Sequence, residues 1–509
     1  MNIILTTINA RYAHTSLGLR YLYANLQEHQ AYTTICEYTL EQRPIDIVEQ
    51  LLAQKPTVIG LGVYIWNIQQ STEVVSLLKA IRPDLIIILG GPEVSHEQHL
   101  NPIVQTADYV ITGWGEASLP TLLSAIKQGQ IPTEKIINGI RLPLSDIAFP
   151  YDYYTDTDLK QRILYVEASR GCPFKCEFCL SSIDDGAKMF NIADFMLELE
   201  KLYQRGARAF KFVDRTFNLK IEHSKKILVF FLNKLKLFPE EPIFAHFEVI
   251  PDFLPDELKT LIKQFPPGAL QLEIGIQTLN TEVQKNISRR THLGRAKQNI
   301  MWLSTQTGAH LHVDLIAALP GEDLTSFAKG FNELWTWHPQ EIQLGILKRL
   351  KGTPIGRHIA EYQYVYDNNP PFSVLQNRDI SFSDMQKLTR LTRFWDLIVN
   401  SGRFPHAVPL LLRDKPFENM WAFSEWLFGT IKQTHQIALT KLTEYLFNWL
   451  MQQPISAIDV LQAVSADFGQ MGIQGWPHYL GPAPADWRVK INQTKHSQGI
   501  TRQKRHITE

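Results

Sequence analysis

The sequence predicts an α/β protein of three domains, the last of them mostly helical. Apolar runs alternate with amphipathic stretches over residues 1–140, and the same alternation returns over residues 162–356. Strands that alternate with helices favour parallel sheets. Over residues 357–509 the apolar positions follow helical spacing, and the Pro-, Asp- and Tyr-containing residues 141–161 are predicted to be a linker. A length of 509 residues suits about three domains of roughly 150 residues each.

The first domain is predicted to be a doubly wound, Rossmann-like sheet. Its predicted strands are residues 3–8, 32–36, 57–62, 85–89 and 108–111, and its predicted helices are residues 17–27, 44–53, 68–81 and 117–127. In such sheets ligands bind at the carboxyl ends of the strands.

Glycines occur in pairs at three of these strand ends. The segments are Gly60-Leu-Gly62, Gly90-Gly91-Pro92 and Gly113-Trp-Gly115. Glycine lets a large flat ligand approach the backbone closely. No G-x-G-x-x-G follows the first strand, which disfavours a nicotinamide dinucleotide. The alternative is that these glycines only form tight turns.

Three of the four cysteines form a C-x-x-x-C-x-x-C cluster, Cys172, Cys176 and Cys179, just after a strand-like run at residues 162–168. So short a loop can present three thiolates to one face of an iron–sulfur cube, and sulfur ligands suit iron. The fourth iron then has no protein ligand. A zinc site is the alternative, but it needs a fourth Cys or His, usually in a second close pair. No second pair is present, and a disulfide framework does not suit so long a chain.

The residues around the cysteines, Ser169-Arg-Gly-Cys-Pro-Phe-Lys-Cys-Glu-Phe-Cys-Leu-Ser-Ser182, resemble the cluster loop of the radical S-adenosylmethionine (SAM) enzymes. An aromatic residue before the last cysteine, here Phe178, belongs to that family's pattern. The resemblance implies a [4Fe–4S] cluster whose open iron is chelated by the amine and carboxylate of SAM. One-electron reduction then cleaves the sulfonium to methionine and a 5′-deoxyadenosyl radical.

The resemblance also implies a partial (β/α)6 TIM-type barrel over residues 162–356. Six strand-like runs fit it, at residues 162–168, 209–213, 243–249, 270–277, 311–317 and 341–347. Reactive residues of such barrels lie at the carboxyl ends of strands. By resemblance the SAM-binding residues are Phe178, Asp214, Glu248, Gly275, Gln277, Leu319 and Pro320. Asp214 would accept the methionyl ammonium and Gln277 would bond the ribose hydroxyls; the alternative for Asp214 is an ordinary turn residue.

The Gly-Gly-Pro after the fourth strand and the following residues 108–116 resemble the cobalamin-binding domain that precedes many radical SAM cores. The match covers the whole first domain. It implies a corrin cleft lined by Gly62, Tyr64, Trp66, Gly90, Gly91, Pro92, Gly113 and Gly115. His14 is the candidate cobalt ligand. Its loop departs from the D-x-H-x-x-G pattern, because no Asp precedes the His by two residues and the glycine comes one position late, so the alternative is that His14 does not ligate.

Charge and hydropathy limit the partners. The chain has 51 Lys plus Arg and 51 Asp plus Glu, so no net field attracts nucleic acid or anionic lipid, and nucleic acid is disfavoured. No apolar run approaches the roughly 18 residues that span a bilayer, and the amino terminus is typical of a strand rather than a signal peptide. A cytoplasmic location is expected, where thiols stay reduced.

The carboxyl-terminal domain resembles an uncharacterised domain attached to one subgroup of cobalamin-dependent radical SAM enzymes. Its tryptophans, among them Trp395, Trp426 and Trp449, have helical spacing and are predicted to form a core. The basic residues 490–509 could contact RNA phosphates. A solvated, disordered end is the preferred prediction, because no aromatic residues are interleaved for base stacking.

The two resemblances together suggest a radical C-methylation of an unknown small-molecule or macromolecular substrate. The expected cofactors are the [4Fe–4S] cluster, SAM and cobalamin, and the expected partner is a reductant such as flavodoxin or ferredoxin. Two alternatives stay open: a cobalamin-assisted radical cyclisation, ring contraction or oxidation, and a non-catalytic cobalamin- or metal-binding regulator.

Overall fold

A computed structural model describes residues 1–130, 132–484 and 502–506. It divides into two compact units. Unit 1 contains Met1–Glu248, Lys348–Arg357 and Tyr366–Ser373. Unit 2 contains Val249–Leu347, His358–Val365 and the described residues from Val374 onward. These units do not follow the domain boundaries predicted from the sequence, which remain predictions.

Unit 1 begins with a six-stranded parallel sheet in the order β2-β1-β3-β4-β5-β6. The strands are β1 (Ile3–Asn9), β2 (Thr33–Thr39), β3 (Val58–Gly62), β4 (Ile86–Gly90), β5 (Tyr109–Thr112) and β6 (Ile136–Asn138). The helices are α1 (Leu17–Ala24), α2 (Pro44–Ala53), α3 (Ile68–Ile81), α4 (Pro102–Thr106) and α5 (Ser118–Lys127). All seven residues of β1 are buried, because helices cover both faces of the central strands. The doubly wound prediction is confirmed. It missed β6, whose three residues are too few for a clear pattern, and the five-residue helix α4.

The segment predicted to be a linker is folded and packed. It contains α6 (Asp156–Gln161), which is capped by Thr155, and a buried Tyr151. Asp158 on α6 accepts a hydrogen bond from Arg20 at 2.8 Å, and Arg20 also pairs with Glu37 at 3.0 Å. Proline and polar composition suggested a linker, but these buried ion pairs tie the segment to α1 and β2.

A second set of six strands follows, divided between the two units. In unit 1, β7 (Leu164–Val166), β10 (Ala209–Phe212) and β11 (Phe244–Val249) pair in parallel, and the antiparallel pair β8 (Ser169–Arg170) and β9 (Lys188–Met189) flanks the cysteine loop. In unit 2, β12 (Leu270–Gln277), β13 (His310–Ala317) and β14 (Glu341–Ile346) pair in parallel. The accompanying helices are α7 (Ile192–Gln204), α8 (Ile221–Leu237), α9 (Asp256–Ile262), α10 (Thr281–Asn286), α11 (Leu293–Gln306) and α12 (Leu324–Trp335). The six strands predicted for this part of the chain are confirmed.

The rest of unit 2 is mostly helical. After the short strands β15 (Val365–Tyr366) and β16 (Val374–Gln376) come α13 (Phe382–Ile398), α14 (Ala407–Leu412), α15 (Pro416–Ile431), α16 (Leu439–Leu450) and α17 (Ala457–Gln470). Trp395 is fully buried and donates its indole N–H to the Ile342 carbonyl at 2.9 Å. The rings of Trp426 and Trp449 lie 5.3 Å apart. Trp426 and Trp449 therefore pack on each other among these helices, as predicted, whereas Trp395 packs against β14 and α12 of the same unit.

The basic tail is described only in part. Arg502–His506 forms a short 3-10 helix, in which Arg502 pairs with Asp396 at 2.7 Å and donates to the Asn400 carbonyl. At these residues the structure differs from the predicted disorder, because the guanidinium finds partners on unit 2. Lys490 and Lys495, on which that prediction also relied, lie outside the described residues. None of the described helices combines the length and hydropathy needed to cross a membrane.

Candidate active site

A cleft of about 390 Å³ lies at the carboxyl ends of β3, β4 and β5 in unit 1. Six of the predicted cobalamin residues line it: Gly62, Tyr64, Gly90, Gly91, Gly113 and Gly115. Gly91 has φ +105°, and a Cβ there would lie 2.4 Å from the Val63 carbonyl oxygen. A Cβ on Gly115 would lie 2.7 Å from Leu22. These contacts give Gly91 and Gly115 a packing reason to be glycine. A Cβ at Gly90 would meet nothing closer than the Ile111 carbonyl oxygen at 3.8 Å, and one at Gly113 would meet nothing within 4 Å. At these two positions the cleft floor is therefore backbone that borders open space, which fits the close approach of a flat macrocycle such as a corrin.

Three other predicted cobalamin residues do not line this cleft: His14, Trp66 and Pro92. Nδ1 of His14 forms a hydrogen bond with the Tyr165 hydroxyl at 2.6 Å. Burial, and to a smaller extent the positive charge of Lys211, lowers the pKa of His14. Trp66 stacks on Tyr64 with ring centroids 4.5 Å apart and donates its indole N–H to the Ile8 carbonyl. The Tyr165 bond engages only Nδ1, and His14 is not among the residues that line the cleft, so its assignment as a cobalt ligand stays a prediction.

Sequence reasoning missed one wall of the cleft. The α1 residues Leu17, Gly18, Leu19, Tyr21 and Leu22 form it, together with Leu5, Leu61, Ile88, Leu89, Ile111, Trp114, Glu116, Leu119, Glu167 and Arg170 from elsewhere in unit 1. The helical spacing of residues 17–27 indicated a helix with an apolar face. It did not indicate that part of this face borders a ligand cleft.

The three cysteines of the cluster loop are in unit 1, and each is a thiol that takes part in no disulfide. Cys172 and Cys176 are buried and Cys179 is half-buried. Burial raises the pKa of the Cys172 thiol. The loop is held by β8 and β9, and the Cys179 N–H donates to the Cys176 carbonyl at 3.1 Å. In the part of the chain that the structure describes, no group of three or more His, Cys, Asp and Glu is arranged for a single metal ion.

This donor set suits an iron–sulfur cluster. In a cluster each thiolate binds a different iron, and three thiolates leave one iron of a [4Fe–4S] cube open. Burial of two of the thiols provides the low-polarity surroundings that influence the properties of such a cluster.

Arg170 lies two residues before Cys172 and joins the cluster loop to the cleft. Its guanidinium donates to Glu116 and to Glu167, both at 2.6 Å, and stacks 4.4 Å from Tyr21 and 4.9 Å from Trp114. Burial by itself would lower the pKa of Arg170, but the two carboxylates raise it above its ordinary value. Arg170 therefore stays charged and holds the end of β8 against the wall of the cleft.

A second cavity of about 200 Å³ adjoins the cysteine loop. Its lining is polar and charged: Trp114, Arg141, Glu167, Ser169, Arg170, Gly171, Ser181, Asp184, Asp185, Gly186, Lys188, Val213 and Arg215. Trp114, Glu167 and Arg170 line both this cavity and the cleft. The cleft and this cavity thus share three wall residues within unit 1, and the cavity is lined by residues on either side of the three cysteines, although not by the cysteines themselves.

Three predicted SAM-binding residues belong to unit 1, and one of them, Asp214, makes contacts that the sequence did not predict. Asp214 is buried, and its two oxygens accept from the Ala168 N–H at 3.0 Å and the Ser169 hydroxyl at 2.5 Å. Burial raises its pKa to about 7. Because the carboxylate is engaged with the strand before the cluster loop, the structure favours a positioning role over direct contact with the methionyl ammonium. Glu248 pairs with Arg215 at 3.2 Å, and Phe178 is half-buried.

In unit 2 the predicted residues lie at the ends of β12 and after β13. Gln277 has φ +70° at a register shift next to Gly275, and its buried Oε1 has no hydrogen-bond partner among the described residues. An orphaned acceptor at this position fits a side chain that bonds ligand hydroxyls. The Leu319 carbonyl accepts from the Glu322 N–H, and the Pro320 carbonyl accepts from Asn286 at 2.8 Å.

Replacing Arg170 by Leu is expected to destabilise unit 1. The change leaves Glu116 and Glu167 buried without a counter-charge, which costs about 3–5 kcal/mol. A lower urea midpoint of the apo-protein measures the loss. The control is Arg141→Leu, whose partner Asp185 is exposed and whose midpoint is expected to change little. Equal midpoints for the two variants would contradict the role given to Arg170.

Three family models match the chain in succession. One described as "B12 binding domain" matches residues 3–123, one described as "Radical SAM superfamily" matches residues 166–332, and one described as "Protein of unknown function (DUF4080)" matches residues 360–468. The first two cover the cleft and the cysteine loop, and both resemblances stated from the sequence are confirmed.

Curated relatives are similar over part of the chain. The "Uncharacterized methyltransferase PH0819" of Pyrococcus horikoshii is 25% identical over 231 residues, which cover 40% of this chain and 49% of that protein. The "Cobalamin-dependent radical SAM methyltransferase TokK" of Streptomyces tokunonensis is 28% identical over 155 residues, covering 25% of this chain and 22% of that protein. The chain thus spans about half the length of PH0819 and under a quarter of TokK.

A solved structure shows the same fold. The radical S-adenosylmethionine methyltransferase TsrM from Kitasatospora setae, with tryptophan substrate and a SAM analog bound, superposes with a TM-score of 0.58 at 16% identity, covering 73% of this chain and 79% of that one. A further TsrM structure holds cobalamin and a [4Fe–4S] cluster. With family models, cleft and cysteine loop in agreement, the chain is a B12-binding radical SAM enzyme with a carboxyl-terminal DUF4080 domain, and its cofactors are a [4Fe–4S] cluster, SAM and cobalamin.

Proposed function

We propose that this enzyme transfers a methyl group to an unactivated carbon by a radical reaction. The observation that carries the proposal is the wall shared by the cobalamin cleft and the cavity beside the cysteine loop, formed by Trp114, Glu167 and Arg170. A radical methylation needs the hydrogen-abstracting group and the methyl donor to act on the same substrate carbon. Neighbouring cavities with a common wall suit that requirement.

The cluster, held by the cysteine loop, would pass an electron from the reductant to one SAM, giving methionine and a deoxyadenosyl radical that leaves as deoxyadenosine with the abstracted hydrogen. Cobalamin in the cleft would supply the methyl group, which it takes from a second SAM after the reductant has restored its reduced form. The chain's own residues bind and orient. Cys172, Cys176 and Cys179 hold the cluster, Asp214 fixes the strand that leads into their loop, and Gln277 offers its free acceptor to SAM.

Other residues of unit 1 give the cleft its shape. The bare floor at Gly90 and Gly113 admits the macrocycle, and Tyr64 forms part of the cleft lining. Arg170 places its charge where the two cavities meet, and its stacking on Tyr21 and Trp114 closes the wall against water. An electron donor such as flavodoxin or ferredoxin is proposed as partner, since enzymes of this class need a reductant.

The test uses the reconstituted holoenzyme in the absence of oxygen. It is incubated with SAM carrying a trideuterated methyl group, a chemical reductant and an extract of cells that lack the enzyme. We expect deoxyadenosine to form together with a trideuteromethylated product, and the product's mass to identify the substrate. The Cys172→Ala variant serves as the inactive control.

Each other outcome would argue against methylation. Deoxyadenosine with an unlabelled product whose mass indicates ring closure, ring contraction or oxidation would favour that alternative chemistry. An intact cluster that releases no methionine under reducing conditions would instead favour a regulator that binds cobalamin without catalysis.

A further inference from the structure

A short segment of unit 1, Lys348–Arg357, contacts both the loop that follows Gly90 and Gly91 of the cleft and the cysteine loop. We refer to it as the brace. It follows β14 in the chain, far in sequence from either of the loops that it touches. Its contacts are ion pairs and backbone hydrogen bonds rather than apolar packing alone, so each end can be examined separately.

On the cleft side the brace contributes Lys351. Its ammonium pairs with Glu93 at 2.6 Å and donates to the Asn101 side-chain oxygen at 2.7 Å. Asn101 in turn donates to the Glu93 carbonyl at 2.9 Å. Glu93 comes two residues after Gly91, whose backbone forms part of the cleft floor. Lys351 therefore holds the loop that shapes that floor.

Because both side chains of this pair are buried, the pair holds the two segments in one position. The Lys351 and Glu93 side chains are only 9% and 5% exposed. A buried charge is tolerated when it is paired and hydrogen-bonded, and removal of one partner leaves the other in an unfavourable place. Next to the pair, Gly352 adopts φ +79° and packs so closely on the His96 ring that a Cβ there would lie 2.3 Å from it.

On the cluster side the brace contributes Ile355 and Arg357. The Ile355 N–H donates to the Glu177 carbonyl at 3.0 Å, and the Arg357 guanidinium pairs with the Glu177 carboxylate at 2.5 Å. Glu177 is buried and lies between Cys176 and Cys179. One ten-residue segment is thus bonded to the residue beside a cluster ligand and to the loop beside the cleft floor.

We propose that Lys351 and Arg357 are positioning residues that set the separation between the cluster and the cobalamin. The proposal deepens the proposed function, because a substrate carbon must meet both centres in one geometry. Neither residue is assigned contact with a cofactor. Lys351 acts through Glu93 and the glycine floor, and Arg357 acts through Glu177 and the cysteine loop.

The experiment measures the distance between the two centres directly. In the holoenzyme the reduced cluster and Co(II) cobalamin are both paramagnetic, so pulsed electron paramagnetic resonance gives the distribution of their separation. Cobalamin affinity is measured in parallel by absorbance titration. We expect Lys351→Met to broaden the distribution and to weaken cobalamin binding about tenfold, and Arg357→Gln to broaden the distribution with little effect on cobalamin affinity.

Three further variants separate positioning from stability. Lys351→Arg keeps the charge and is expected to restore most of the narrow distribution. The double variant Lys351→Met with Glu93→Gln removes the buried unpaired carboxylate, so its thermal stability should recover while its distribution stays broad. The matched control is Arg349→Gln, in the same brace. Its partner Glu97 is 25% exposed, so water can replace the lost contact, whereas Glu93 and Glu177 are buried; the distribution of Arg349→Gln is therefore expected to stay narrow.

Unchanged distributions in both Lys351→Met and Arg357→Gln would overturn the proposal. The proposal would also be overturned if the double variant regained both its thermal stability and a narrow distribution of cluster–cobalt distances. If Lys351→Met fails to fold, the double variant and Arg357→Gln decide the matter. Because these readouts need neither substrate nor turnover, they remain valid even if the enzyme proves not to methylate, and the two proposals can fail independently.

Discussion

Replacing any one of Cys172, Cys176 or Cys179 by alanine reduces SAM cleavage to the background seen without a cluster. This result is expected because each of the three thiolates is proposed to hold a different iron, and no other cysteine lies in the loop to replace a lost one. Without an intact cluster no electron reaches the sulfonium, so the loss is the largest expected for any single substitution in this chain. Iron and sulfide content, the spectrum of the reduced cluster and the yield of deoxyadenosine together measure it.

Cys36→Ala is the matched control. Cys36 lies on β2, where Gln54 donates to its sulfur at 3.3 Å, and it belongs to neither cavity. Its removal should leave iron content and deoxyadenosine yield unchanged. A loop variant that kept both a full cluster and normal cleavage would contradict the assignment of the three ligands.

Replacing Gly90 by Leu is expected to give the second largest effect, on cobalamin binding. A Cβ at Gly90 meets nothing closer than the Ile111 carbonyl oxygen at 3.8 Å, so the backbone tolerates a side chain. That side chain would have to share the cleft with the macrocycle. Overfilling a well-packed site costs about 1–3 kcal/mol, so the cobalamin dissociation constant should rise by up to about a hundredfold. Absorbance titration of the apo-enzyme measures it.

Gly429→Leu is the matched control, because it makes the same substitution outside the cleft. Gly429 is exposed on α15, and a Cβ there has open space around it. Its cobalamin affinity should match that of the unsubstituted enzyme. Normal affinity in Gly90→Leu, with the fold intact, would show that the macrocycle does not rest on the glycine floor.

The parts of the site that the sequence predicted well are those set by local chemistry. The spacing of Cys172, Cys176 and Cys179 is decided within one loop, and glycines at the ends of buried strands have a local reason to be there. In the same way, the alternation of apolar runs and amphipathic stretches decides a doubly wound sheet without any knowledge of distant contacts.

The parts that the sequence did not predict depend on partners far along the chain. The orientation of His14 is decided by Tyr165, and the engagement of Asp214 by Ser169. The Arg170 pair with Glu116 likewise joins residues more than fifty positions apart. No periodicity or spacing encodes such pairs, because they form only when the sheet brings their strands together. For this reason the cleft lining could be predicted at its glycines but not at its charged and aromatic wall.

Four buried charged side chains determine how long a fragment containing the cobalamin-binding domain has to be. They are Arg20, Glu37, Asp158 and Arg162. Although burial opposes ionisation, Arg20 and Arg162 hold the pKa of Glu37 below its ordinary value. A fragment ending at residue 140 would keep Arg20 and Glu37 but lose two members of a balanced quartet. A fragment that keeps all four charges must therefore extend through Arg162, well beyond residue 123, where the match to the B12-binding family model ends.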